Sequence, residues 1–134
     1  MIVVDSSALI AILRCEPEEG RFIEAIEQAG AACFSAVSLQ ETSMVLAGRG
    51  GTAEAWQPLD DFIRLAALEI VPHDAVLAEL ARDAFLRFGK GRHPARLNCG
   101  DCASYALAKQ RRIPLLFKGG DFGHTDITAA LPAG

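Results

Sequence analysis

Short, mostly apolar segments, the first of them the β-branched Ile2-Val3-Val4, alternate with helical stretches along the whole chain, and no hairpin signal joins any two of them. Strand-like runs fall at residues 2–4, 31–34, 68–71 and 115–117, and a short edge strand is expected in 125–131. Helical patterns fill the intervals. One runs over 8–14, with Ser6 and Ser7 as capping residues. A second starts near Pro17, carries Phe22, Ile23 and Ile26 on one face, and stops at Gly30. A third is capped by Ser35 and ended by Gly48-Arg49-Gly50-Gly51, and a fourth covers 53–67, where Pro58 must begin or kink it. The last two are capped by Asp74 and Asn98 and run to Phe88 and Arg112. Such alternation specifies an α/β fold: a mostly parallel central sheet of four to five strands flanked by helices. In open sheets of this kind the functional site lies at the carboxyl ends of the strands, near a switch in strand order.

At 134 residues the chain is expected to form one domain, 1–134, burying roughly 65–70% of its unfolded surface. Hydrophobic content of 51% with 22% charged residues is a globular balance. No apolar run approaches the ~18–20 residues of a membrane span, and Asp5 stands where a signal peptide would be apolar, so no membrane partner and a cytoplasmic location are expected. The net charge of −4 argues against indiscriminate coating of nucleic acid. Between Asp83 and Asp101, however, there is no acid, while Arg87, Lys90, Arg92, His93 and Arg96 occur there. This strip suits a polyanion, though an ordinary solvated loop has the same composition. Of the four cysteines, Cys99 and Cys102 form a CxxC. Cys15 and Cys33 do not complete a zinc set, and unpaired thiols in a reducing compartment are the expectation.

Four acids stand where apolar sequence ends or should hold no charge. Asp5 closes the first strand; Glu41 lies in the third helix on the line of Val37 and Val45; Asp101 opens the last helix; Asp121 follows the last strand after Gly119-Gly120. A carboxylate beside a core is costly unless paired, and converging carboxylates repel one another unless a cation joins them. A hard divalent ion is the natural partner. Each acid also has a plainer role: Asp5 as a helix cap, Glu41 facing water, Asp101 as an acid favoured by the helix dipole, Asp121 in a turn. Ser7 and Lys118 are candidate supporting contacts to a phosphate. Thr125 and Asp126 are either supporting residues or turn formers. His73, His93 and His124 have no metal-ligand spacing.

The opening Met1-Ile2-Val3-Val4-Asp5-Ser6-Ser7 resembles that of PIN-domain proteins, and the segments Gly89 to Ala103 and Pro114 to Ile127 resemble the pattern of VapC-type toxins. The resemblance spans nearly the whole chain and implies a PIN-like three-layer sandwich. It implies a magnesium-dependent endoribonuclease of a type II toxin–antitoxin system, leaving a 5′-phosphate and a 3′-hydroxyl. Asp5, Glu41, Asp101 and Asp121 would be the catalytic and metal-binding acids, with one or two Mg²⁺ (or Mn²⁺) ions. Lys90, Arg92 and Arg96 would hold a single-stranded or looped RNA, from transfer or ribosomal RNA. A homodimer and a VapB-like antitoxin are implied as partners. Cys99 departs from the aromatic or aliphatic residue that relatives often carry.

Three other classes fit less well. A phosphorelay receiver shares strand-end acids and a strand-end lysine, but needs a phospho-accepting Asp after its third strand, where this chain has Pro72-His73. A haloacid-dehalogenase-type phosphatase needs an acid where Ser7 stands. A non-catalytic interaction domain would leave four acids on apolar elements without a purpose.

Overall fold

The computed structural model describes residues 1–132. Four strands, β1 (Ile2–Val4), β2 (Ala32–Ser35), β3 (Glu69–Val71) and β4 (Leu115–Leu116), form one sheet in the order β3-β2-β1-β4, with every pairing parallel. Val3 stands opposite both Cys33 and Leu115, so β1 is the central strand. Its three residues are buried, as continuous apolar runs in parallel sheets are.

Side-chain alternation sends the strands into two cores. Val3, Cys33, Val71 and Leu115 pack with Leu77, Phe88, Leu97, Tyr105 and Leu107, from helices α5 (Ala75–Phe88) and α6 (Cys99–Arg111) and the loop between them. Ile2, Val4, Phe34 and Leu116 face the opposite layer, formed by α1 (Ser6–Leu13), α2 (Glu19–Ala29) and α4 (Gln57–Leu65), where Leu9, Phe22, Ile26 and Leu59 are buried. The remaining helix, α3 (Ala36–Ala47), packs against α1 and α6. The expected three-layer sandwich is therefore present with four strands. Among the described residues no helix is long and apolar enough to cross a membrane, and all four cysteines are free.

Ser35, Asp74 and Asn98 cap their helices as expected, each side chain accepting a backbone N–H. Pro58 stands in the first turn of α4, after a 3-10 turn over Ala53–Trp56. Two expectations need correction. The cap of α1 is Asp5 itself: its carboxylate accepts the Ser7 N–H, and the helix starts at Ser6, two residues earlier than the apolar pattern suggested. The edge strand expected in 125–131 reduces to one parallel bridge between Leu115 and Ala129, with the Leu115 N–H donating to Thr128 and the Ala130 N–H to Leu115.

Candidate active site

The chain fills the sheet outward from β1 to β2 to β3, then returns to place β4 on the other side of β1. Strand order thus reverses between β1 and β4, and a crevice at their carboxyl ends is the expected site in such a sheet. Asp5 leaves β1 at this point, its N–H bonded to the Leu116 carbonyl at 2.9 Å.

The Asp5 side chain is only 1% exposed, yet its carboxylate is well supplied with donors. Oδ2 accepts the Ser7 N–H at 3.0 Å and the Ser7 hydroxyl at 2.6 Å, while Oδ1 accepts the Ser104 hydroxyl at 2.6 Å. Short bonds to a charged acceptor offset the cost of burying it. Ser7 also accepts the Lys118 N–H at 3.0 Å, which ties the segment leading to Asp121 to the same carboxylate.

Glu41 enters from α3. Its Oε1 accepts the Ser6 hydroxyl at 2.6 Å, and the carboxylate lies over Gly100, where an added Cβ would fall 2.5 Å from both its oxygens. The apolar line proposed for it does not hold: Val37 is half-buried and Val45 exposed. The buried side chains of α3 are Ser38 and Thr42, small and polar.

Asp101 is the third residue of α6 and completes a capping box: its N–H donates to Asn98 Oδ1 at 2.9 Å, and its Oδ2 accepts the Asn98 N–H at 3.0 Å. The plain helix-cap role is thus realised. Burial pushes its carboxyl up from 3.8 to about 6, and the charges of Asp5, Glu41 and Asp121 push the same way against the Asn98 hydrogen bond. Four acids distant in sequence therefore share one electrostatic field. Asp121 is exposed, at the start of the 3-10 turn Phe122–His124.

The donors are all hard oxygens, and their mutual repulsion is what a divalent cation relieves, so the chemistry of the set fits such an ion. The arrangement is open, however. Among the described residues no three carboxylate, imidazole or thiol groups are close enough to enclose an ion by themselves. Mg²⁺ keeps several waters and takes one or two carboxylates directly, which suits this looseness.

The other expected residues sort as follows. Lys90, Arg92 and Arg96 are exposed on the loop that leads into Asn98 and Asp101, and none of them joins an ion pair among the described residues. The loop is fixed by Lys90 N–H to Leu97, Leu97 N–H to Phe88 and Ala95 N–H to His93 Nδ1. Arg92 Nε also reaches the Leu86 carbonyl at 3.4 Å, and Arg96 takes a left-handed φ of 51°. Lys118, expected at a phosphate, instead gives its ammonium to Glu16 at 3.0 Å and Glu18 at 3.3 Å. Asp126 does not join the acids. It accepts the Tyr105 hydroxyl and pairs with Lys109 and Arg87, which takes Arg87 out of the basic strip. Thr125 is a turn residue, donating to the Phe122 carbonyl. Sequence reasoning missed Ser6, Ser38, Ser104 and Gly100. Serines within helices look like filler, and only the pairing of Gly100 with the neighbouring Asp101 offered a signal.

Fold and site together define a parallel α/β protein with oxygen-bearing acids from four segments at the switch point of its sheet. The PIN domain model matches residues 2–127, and the chain belongs to that family, within its VapC branch. It is 47% identical to Ribonuclease VapC30 of Mycobacterium tuberculosis over 132 residues, covering 98% of this chain and 100% of that protein. It is 44% identical to Ribonuclease VapC28 of the same organism over 131 residues, covering 97% and 98%. Among solved structures, Mycobacterium tuberculosis VapC20, described as a sarcin–ricin loop cleaving toxin, has the same fold, with a TM-score of 0.74, 22% identity and coverage of 98% and 100%. VapBC2 from Rickettsia felis, bound to a fragment of promoter DNA, superposes with a TM-score of 0.71 at 16% identity, covering 96% of each chain.

Proposed function

We propose that the protein is a single-domain endoribonuclease, residues 1–134, that hydrolyses RNA phosphodiester bonds with a divalent ion. Mg²⁺ is the favoured ion and Mn²⁺ the alternative. The observation that carries the reading is the gathering of carboxylates at the strand ends: Glu41 lies over Gly100 beside Asp101, whose carboxyl burial lifts to about 6, with the charges of Asp5, Glu41 and Asp121 pushing the same way. The full-length match to relatives named ribonucleases supports it.

A bound ion, or a pair of them, supplies Lewis acidity and neutralises charge on the phosphoryl group. Asp5 and Asp101 would hold the ion directly. Asp5 is oriented by Ser7 and Ser104, and Asp101 by its bond to Asn98. Glu41, seated by Ser6 against Gly100, aims a third carboxylate at the same space. Asp121, exposed on its loop, acts through water or a second ion. Lys90, Arg92 and Arg96 hold the RNA backbone beside the acids, and a looped or single-stranded target suits this arrangement. Lys118 supports the site by anchoring its loop to Glu16 and Glu18.

A VapB-like antitoxin that silences the enzyme, a homodimer and a cytoplasmic location complete the proposal. Solved neighbours described as toxin–antitoxin assemblies, from Klebsiella pneumoniae and Rickettsia felis, support the first of these. The test is cleavage of RNA by the purified protein in Mg²⁺, in EDTA, and after Asp5→Asn or Asp101→Asn. Cleavage is expected in Mg²⁺ alone and is expected to fall at least ~100-fold in each other case. Full activity in EDTA, or in either variant, sinks the metal mechanism.

A further inference from the structure

A seam of buried hydroxyls runs from α3 to the carboxylate of Asp5. Ser38 and Ser104 are both 0% exposed, and their oxygens are 3.1 Å apart. Ser104 Oγ is also 2.6 Å from Asp5 Oδ1, a contact that spans 99 residues of sequence. A serine has one hydroxyl proton. Since an ionised Asp5 can only accept, the Ser104 proton goes to Asp5, and Ser38 must be the donor in the contact between the two serines. The seam therefore has a direction, Ser38 to Ser104 to Asp5. Thr42, one turn further along α3, is also 0% exposed, and its hydroxyl has no partner among the described residues.

Packing alone does not account for these residues. Alanine fills a helix–helix contact at least as well, has the higher helix propensity, and leaves no polar atom to satisfy. Ser104 also follows Asp101 by three residues on α6, so hydroxyl and carboxylate lie on one side of that helix. Resting on the nuclease reading above, we infer that Ser104, backed by Ser38, is a positioning residue for divalent-ion binding. Its hydroxyl fixes the plane of the Asp5 carboxylate by holding Oδ1, and leaves the second lone pair of that oxygen for an ion. Supporting contacts of this kind typically govern metal affinity by 10–100-fold.

The experiment is direct Mn²⁺ binding to the RNA-free protein, with free Mn²⁺ counted by electron paramagnetic resonance, alongside circular dichroism to establish folding. Wild type, Ser104→Ala, Ser104→Thr and Ser38→Ala are compared. Ser104→Ala is expected to weaken Mn²⁺ by roughly 10–100-fold, Ser104→Thr to bind as wild type does because it keeps the donor, and Ser38→Ala to lose roughly threefold, being one bond further away. A folded Ser104→Ala protein with wild-type affinity overturns the inference. Should Ser104→Ala not fold, Ser38→Ala decides: weakened binding supports the relay, and unchanged binding overturns it. Wild-type protein that binds no Mn²⁺ refutes the nuclease proposal instead, so the two failures are distinct.

Discussion

Gly100→Ala adds a single methyl group and changes none of the four acids, yet it should cripple the site. The new Cβ would sit 2.5 Å from both oxygens of Glu41 and 2.7 Å from its Cδ. Ordinary contact begins near 3.5 Å, so the carboxylate must retreat by about 1 Å. That movement breaks the 2.6 Å bond from Ser6. A hydrogen bond to a charged group contributes about 1.5–3 kcal/mol, and alanine returns up to about 1 kcal/mol of helix propensity. The net loss of stability is thus about 0.5–2 kcal/mol, a melting shift of a few degrees in a chain of this size. The catalytic cost is larger, because a 1 Å displacement of a group at the reacting centre costs on the order of 100-fold. Gly20→Ala is the matched control: Gly20 is likewise the second residue of its helix, but nothing lies within 4 Å of its Cβ position. Initial rates of RNA cleavage at saturating Mg²⁺, with melting curves for both variants, make the comparison. Gly100→Ala protein that is folded and cleaves within threefold of the Gly20→Ala control would falsify the placement of Glu41.

Three further outcomes are expected. Asp101 has a folded-state pKa of about 6 against its ordinary 3.8, so protonation favours the folded chain; this contribution is complete below about pH 4 and vanishes as pH rises through 6. Without metal, Asp101→Asn should therefore melt above wild type at pH 7.5, with the gap closing near pH 5 and narrowing when Mg²⁺ is added at pH 7.5; equal gaps at both pH values refute the raised Asp101 pKa. Tyr105→Phe removes the hydroxyl donor to Asp126 but leaves Lys109 and Arg87 on that carboxylate, so urea unfolding should report a loss of about 1 kcal/mol with cleavage unchanged. Replacing Lys90, Arg92 and Arg96 together by alanine should weaken RNA binding and flatten its salt dependence by about 0.7 in log–log slope per lost phosphate contact; an unaltered slope removes the basic loop from the RNA path.

The fold was legible because its signals are local. Ile2–Val4 is too apolar and β-branched for a surface segment, and Ser35, Asp74 and Asn98 have the chemistry of caps and act as caps. The acids were legible as misplaced charges. Their partners were not, because those depend on which helix lies opposite. Ser104 belongs to an otherwise ordinary helical run until α6 is packed beside Asp5. Glu41 was singled out by a line through Val37 and Val45 that the structure does not bury; what holds its carboxylate is Ser6, and it lies over Gly100. Lys118 has the position expected of a phosphate contact, but Glu16 and Glu18 are brought to it by the turn between α1 and α2, which strand and helix periodicity does not describe.

The strand order has a consequence for how the molecule comes into being. β1 is made first, but one of its two neighbours, β4, is made after all six helices. Until residues 98–121 have emerged from the ribosome, β1 has an unpaired edge, and Asp5 lacks Ser104, Asp101 and Asp121. The first two thirds of the chain carry Asp5 and Glu41 but close no site. On the proposed nuclease reading, a growing chain should therefore leave the RNA around it intact, including the ribosome making it, until residues 98–121 dock. A 1–97 fragment should accordingly cleave no RNA alone and regain cleavage only when a 98–134 fragment is supplied in trans; cleavage by the first fragment alone contradicts this order of assembly.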